Sequence, residues 1–242
     1  MSKEKVNAEE TKEVVATAAA GTSEVATTTP KGNYITLMLE GAKARFMEAN
    51  AGLDLDFVRM GQFLKLNKKG NFVLHTDDTV SFGDSIDVVI ASGEQRHTLW
   101  GAKDSPEENE IICMEKTYEE AVEKLEKFLE YTPGAAERYS ISDIKLRYLA
   151  YVVFTEDLGG EDLPDVYLIN LAQGDAFGFG NHAKAVFSGD KAKGVPKGSG
   201  VATVVTRLTS EERKVKDSSD TYLGIKFETV GPFIPSEYTK KA

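Results

Sequence analysis

Residues 145–171 read K-L-R-Y-L-A-Y-V-V-F-T-E-D-L-G-G-E-D-L-P-D-V-Y-L-I-N-L, and two runs within this stretch decide the fold. Residues 147–155 and 166–171 are rich in β-branched and aromatic side chains, and the turn-forming segment 156–165 separates them, so they predict two adjacent strands of a hairpin. Alternate positions of the first strand place Leu146, Tyr148, Ala150, Val152 and Phe154 on one face. Arg147, Leu149, Tyr151 and Val153 fall on the other. Both faces are largely apolar, so this strand belongs inside a sheet and not at its edge.

Outward from this hairpin, β patterns recur. Phe63, Leu64 and Leu66 lead into the basic tip Asn67-Lys68-Lys69-Gly70-Asn71, and Phe72, Val73 and Leu74 follow, which predicts a second hairpin. Residues 85–91 read as a buried strand, with 95–100 pairing back through Ser92-Gly93-Glu94. Two closing strands are expected at 201–208 and 221–230, joined by the charged segment 209–220. Helical spacing of Ile35, Met38, Leu39, Ala42, Phe46 and Ala49 predicts a helix after Tyr34. Thr117-Tyr118-Glu119-Glu120 is a capping box that opens a helix with an apolar stripe of Ala121, Leu125, Phe128 and Leu129, stopped before Pro133-Gly134. A short helix is expected over 175–187, followed by a Gly-, Lys- and Pro-rich connection over 188–200.

Composition narrows the function classes. The chain has 242 residues and a formal charge of −10, which disfavours a non-specific duplex-DNA coat or an anionic-membrane binder. The charge is segregated: residues 104–130 hold ten acids against three lysines, and residues 184–216 hold eight basic residues against three acids. Cys113 is the only cysteine, so no intrachain disulfide forms, and a reducing, cytoplasmic setting is the natural expectation. No apolar run approaches the roughly 20 residues that a bilayer span needs. Residues 1–32 form a low-complexity arm with no aromatic side chain, expected to be flexible because it buries too little to offset its ordering entropy. A single β-rich domain over 33–235 and a short tail, 236–242, complete the expected organisation.

Catalytic motifs are sparse. Gly178-Phe179-Gly180-Asn181-His182-Ala183 fits G-x-G-x-x-A, but it stands six residues beyond the preceding strand and places a Phe in the turn, so the glycines are read as a bend over the sheet. His75, His97 and His182 lack metal-ligand spacing, and Cys113 beside Ile111 and Ile112 reads as a buried, inert thiol. No enzyme, metal or cofactor is expected. What remains is an interleaving of cations and aromatics on strands: Arg96 with Trp100, Arg147 with Tyr151, Tyr222 with Lys226, joined by Arg207 and Tyr167. Single-stranded nucleic acid is bound through this chemistry, because every base offers a face to stack and every linkage a charge to neutralise. Aromatic residues on strands are also ordinary core, and that reading competes at each position. Lys191, Lys193 and Lys197 make residues 188–200 a candidate flap that closes on DNA.

The order of these segments resembles the single-stranded-DNA-binding proteins of tailed bacteriophages, which have an OB-type barrel. The resemblance is carried by Phe82-Gly83-Asp84-Ser85-Ile86-Asp87-Val88-Val89-Ile90 with Trp100, then Arg147 to Val153, Val166-Tyr167-Leu168-Ile169, Val204-Val205-Thr206-Arg207-Leu208 and Tyr222-Leu223-Gly224-Ile225-Lys226-Phe227. It implies a mainly β fold, an OB-like five-stranded barrel with an inserted acidic helix, and non-catalytic binding of single-stranded DNA in replication or recombination. By resemblance Arg96, Trp100, Arg147, Tyr151, Arg207, Tyr222 and Lys226 would hold the strand, phage replication or recombination proteins would be partners, and oligomers are allowed. The alternative expectation is a virion or assembly structural protein, for which the amino-terminal arm and acidic surface are equally suited.

Overall fold

The computed structural model describes residues 34–53, 61–158, 164–214 and 219–235. The fold is mainly β, an eight-stranded sheet curled into a half-barrel with a few helices. Its strands are β1 (Gln62–Leu66), β2 (Phe72–Leu74), β3 (Ser85–Trp100), β4 (Ile111–Glu115), β5 (Lys145–Phe154), β6 (Tyr167–Leu171), β7 (Val204–Lys214) and β8 (Thr221–Pro232). The helices are α1 (Tyr34–Ala49), α2 (Tyr118–Tyr131), the single turn α3 (Ala135–Arg138) and α4 (Gln173–Ser188). Strand order is β2-β1-β6-β5-β3-β7-β8, with β4 on the far half of β3. Every pairing is antiparallel except β1 with β6.

β5 lies between β3 and β6, as its two apolar faces require. One face, with Ala150, Val152 and Phe154, joins Leu64, Phe72, Ile86, Val88, Ile90, Ile169 and Leu208 in the main core inside the curl. On the other face Val153 packs with Val89 beneath Ile35 of α1, and Leu149 packs with Leu168 and Met114. A further core forms where α2 lays Ala121 and Leu125 over Leu99, Ile112 and Cys113. The capping box at its start is formed, with Thr117 Oγ1 accepting from the Glu120 amide and the Glu120 carboxylate accepting from the Thr117 amide.

Two expected strand boundaries change. Residues 85–100 are one strand, not a hairpin, because β5 pairs along nearly its whole length from Val88↔Phe154 to Thr98↔Lys145, with a bulge between Ile90 and Ser92. Gly93 serves packing and not a turn: a Cβ there would overlap the Tyr148 ring. The first closing strand starts at Val204 and continues through the charged residues to Lys214, since β8 pairs with it from Pro232 back to Thr221. The arm over 1–32 and the tail 236–242 lie outside the described residues.

Candidate nucleic-acid interface

Four of the predicted residues come together on β3 and β5. Arg96 lies directly opposite Arg147 in the ladder. Arg96 is only 7% exposed, however, and its guanidinium is held by Glu94, which also accepts a hydrogen bond from Tyr151 Oη at 3.0 Å. A buried cation already neutralised by a neighbouring carboxylate has little left to offer a phosphate. Trp100 packs between Phe63 (5.3 Å, edge to face) and His75 (4.5 Å between ring centroids). β1 and β3 are separated in the sheet by β6 and β5, so this contact means that the end of β3 curls back over β1. Burial, aided by Lys65, pushes the His75 imidazole below its usual range, so it is neutral at pH 7. Trp100 Nε1, Arg96 Nε and Asn170 Oδ1 are buried without hydrogen-bond partners. Glu94 thus holds both Arg96 and Tyr151 and Trp100 is packed, whereas Arg147 is half-buried and makes no ion pair among the described residues.

The other strand candidates are occupied differently. Tyr167 is a core residue, 6% exposed and stacked on Phe154 at 4.4 Å, so it presents no face to a ligand. Arg207 is exposed, but its Nε and Nη2 donate to the two carboxylate oxygens of Asp87, at 2.7 and 2.8 Å. Lys226 pairs with Glu228 at 3.1 Å, while Tyr222 is exposed. Arg207 is thus neutralised from the neighbouring strand and Lys226 from its own.

The lysines of the 188–200 connection stand elsewhere, beside α4. This helix is anchored at its start by Asp175, whose Oδ1 accepts from Arg213 Nη1 and from the Ile225 amide, both at 2.8 Å. Its buried residues, Asp175, Phe179, His182 and Val186, recur at i, i+4, i+7 and i+11 and fix one face against the sheet. Gly178 and Gly180 therefore lie in mid-helix, where Gly178 comes close to Phe227 and Arg213, and they form neither a bend nor a phosphate-binding turn. His182 is buried, with Nε2 3.0 Å from Thr206 Oγ1 and its ring over Phe227. Burial, then Lys193, lowers its pKa to about 4.

The segment after α4 is a hydrogen-bonded turn and not a free flap. Asp190 and Val195 exchange backbone hydrogen bonds at 2.9 and 2.8 Å, and Asp190 Oδ1 accepts from the amides of Ala192 and Lys193. The Gly198 amide donates to the Phe187 carbonyl, Lys193 Nζ donates to the Thr229 carbonyl, and Val195 is buried against Val186 and Val204. A cleft of about 690 Å³ runs between α4, this turn and β8, lined by His182, Lys191, Lys193, Phe227 and Thr229.

Phe187 is 63% exposed, and Lys184, Lys191 and Lys197 are exposed with no ion-pair partner among the described residues. Lys184 and Phe187 were not singled out by the sequence patterns. The signal that finds them is helical phase: both lie off the buried stripe of α4, and an aromatic off the stripe is a surface aromatic.

Cys113 is buried, and burial raises its thiol pKa to about 11, so it is not an activated nucleophile. Among the described residues no three His, Cys, Asp or Glu side chains converge as metal ligands, and no helix is long and apolar enough to cross a membrane. No family model, curated protein or solved structure matches the chain.

Proposed function

We propose that this protein binds single-stranded DNA without catalysis, and that the strand lies on the surface around Phe187, not across β3 and β5. One observation carries the proposal: Phe187 and Lys184 of α4 and Lys191 and Lys197 of the turn after it are all exposed, and none of these lysines has a carboxylate partner among the described residues. An exposed aromatic ring offers a base a stacking face, and unpaired lysines release counterions when they meet phosphates. The curled sheet is compatible with an OB-like barrel, and under that reading α4 and the turn after it are additions that carry the binding surface. Replication or recombination proteins of a phage would be the partners. Arg207 and Lys226, committed to Asp87 and Glu228, contribute little in this mode.

The test is fluorescence anisotropy with a labelled oligo-dT and a duplex of equal length, over a salt series. Single strands should bind more tightly than duplex. Lys184→Ala, Lys191→Ala and Lys197→Ala combined should lower the log–log salt slope by about 2, at about 0.7 per phosphate contact on a single strand. Phe187→Ala should cost about 1–3 kcal/mol if a base stacks there. Unchanged binding in both variants refutes the placement. Binding to neither form of DNA, with co-sedimentation of the protein in assembled particles, would establish the structural role instead.

A further inference from the structure

Two exposed faces of the molecule are unpartnered and complementary. The first is the outer side of α2. Glu119, Glu123, Glu126 and Glu130 recur at i, i+4, i+7 and i+11, opposite the buried Ala121 and Leu125, so they form one stripe about 16 Å long at 1.5 Å per residue. Glu123 is paired with Lys127, whereas Glu119, Glu126 and Glu130 make no ion pair among the described residues. Tyr131 closes the helix 77% exposed. The second is the surface of α4 and the turn after it, where Phe187, Lys184, Lys191 and Lys197 are exposed. Each surface carries three charges with no ion-pair partner among the described residues, and the charges have opposite sign.

We infer that copies of this chain associate head to tail, the acidic face of α2 in one copy docking on the Phe187 face of the next. The signs select this arrangement. A symmetric contact through either face alone would set like charges against like, which costs several kcal/mol, whereas acid against base is favourable. Complementarity must act locally, because two chains of charge −10 repel each other at a distance. Salt screens that repulsion together with the attraction at contact, so salt dependence alone is a poor reporter. Charge exchange at constant salt moves the net charge from −10 to about −4 in one variant and about −16 in the other, so the equal mixture, whose average is that of wild type, isolates the contact. The proposed DNA surface and this docking face share their lysines, but self-association is measured with no DNA present, so either idea can fail without the other.

The experiment is sedimentation velocity of the full chain at low ionic strength, over a concentration series to about 100 μM, a range in which micromolar contacts are populated. One variant carries Glu119→Lys, Glu126→Lys and Glu130→Lys; the other carries Lys184→Glu, Lys191→Glu and Lys197→Glu. All six positions are exposed, and circular dichroism with thermal melting checks that both variants fold. Wild type should associate. Each variant alone should associate at least tenfold more weakly, because both of its faces then carry one sign. Mixed in equal amounts the two variants should associate again, since each supplies the face that the other lost. A monomeric wild type overturns the inference, as does wild-type association of either variant alone, or a mixture that stays dissociated while wild type associates.

Discussion

His182 makes the stability of this fold depend on pH in a predictable window. In the unfolded chain the imidazole titrates near 6.5, whereas in the fold burial and Lys193 bring it to about 4. Its Nε2 faces Thr206 Oγ1 and its ring lies over Phe227, so no carboxylate contact compensates a positive charge there. Between these two pH values the unfolded chain binds a proton that the folded chain does not. Stability therefore falls as pH drops through this interval, is unaffected above it, and has lost the full increment below pH 4. The full increment is about 3 kcal/mol, and at pH 5 about 2 kcal/mol is already gone. The assay is urea unfolding at several pH values from 8 to 4.5 on wild type and on His182→Gln, whose amide can still hydrogen bond with Thr206. The burial-lowered His75 and the carboxylates titrate in both proteins, so the difference between the two curves belongs to His182. Whatever the substitution costs at pH 8, the gap should shift by about 2 kcal/mol in favour of the variant at pH 5. Parallel curves would refute the assignment, because they would mean that the folded imidazole accepts its proton as readily as the unfolded one.

Two further outcomes are expected. Asp175→Ala strips the acceptor from both Arg213 and the Ile225 amide, so chemical denaturation should show a loss of about 3 kcal/mol, with Asp175→Asn recovering part of it. Cys113, with its thiol raised to about 11 and covered by α2, should react with a disulfide reagent at pH 8 only at the rate of unfolding, and should react promptly in denaturant.

What was legible in the sequence is what local pattern controls. The hairpin β1–β2 with Asn67 Oδ1 capping its turn, the capping box of α2 and the span of α4 rest on residues within a few positions of one another, and β5–β6 rests on two successive β-rich runs. Long-range pairing was not legible. Nothing local says that β1 lies parallel beside β6, and the Ser-Gly-Glu sequence at 92–94 has turn chemistry that β5 overrides by pairing straight through it. The same division separates the candidate site residues. Lys191, Lys193 and Lys197 were visible as a cluster in a Gly-rich segment, and the structure keeps them exposed. Arg207 looked equally free, yet its partner Asp87 is 120 residues away in the chain.

Tyr167 and Arg96 show how a curled sheet uses the aromatic and cationic residues of its own strands. Tyr167 alternates correctly, stands on a strand beside the central one and has a polar tip, as a stacking residue would. The curl of the sheet decides against it, because Phe82 and Phe154 close over its ring. Arg96 likewise reads as a phosphate contact until Glu94, two residues away and on the same side of the same strand, is seen to neutralise it. A strand that pairs on both edges and is covered on both faces consumes its own polar groups, and most of β3 and β5 is of this kind. Free charge and free aromatic surface collect instead on elements covered from one side only. Helices α2 and α4 are such elements, which is why one bears the acidic stripe and the other carries the exposed Phe187 with its lysines. The proposed interaction surfaces rest on that asymmetry: the sheet spends its polar groups internally, and the one-sided helices keep theirs exposed.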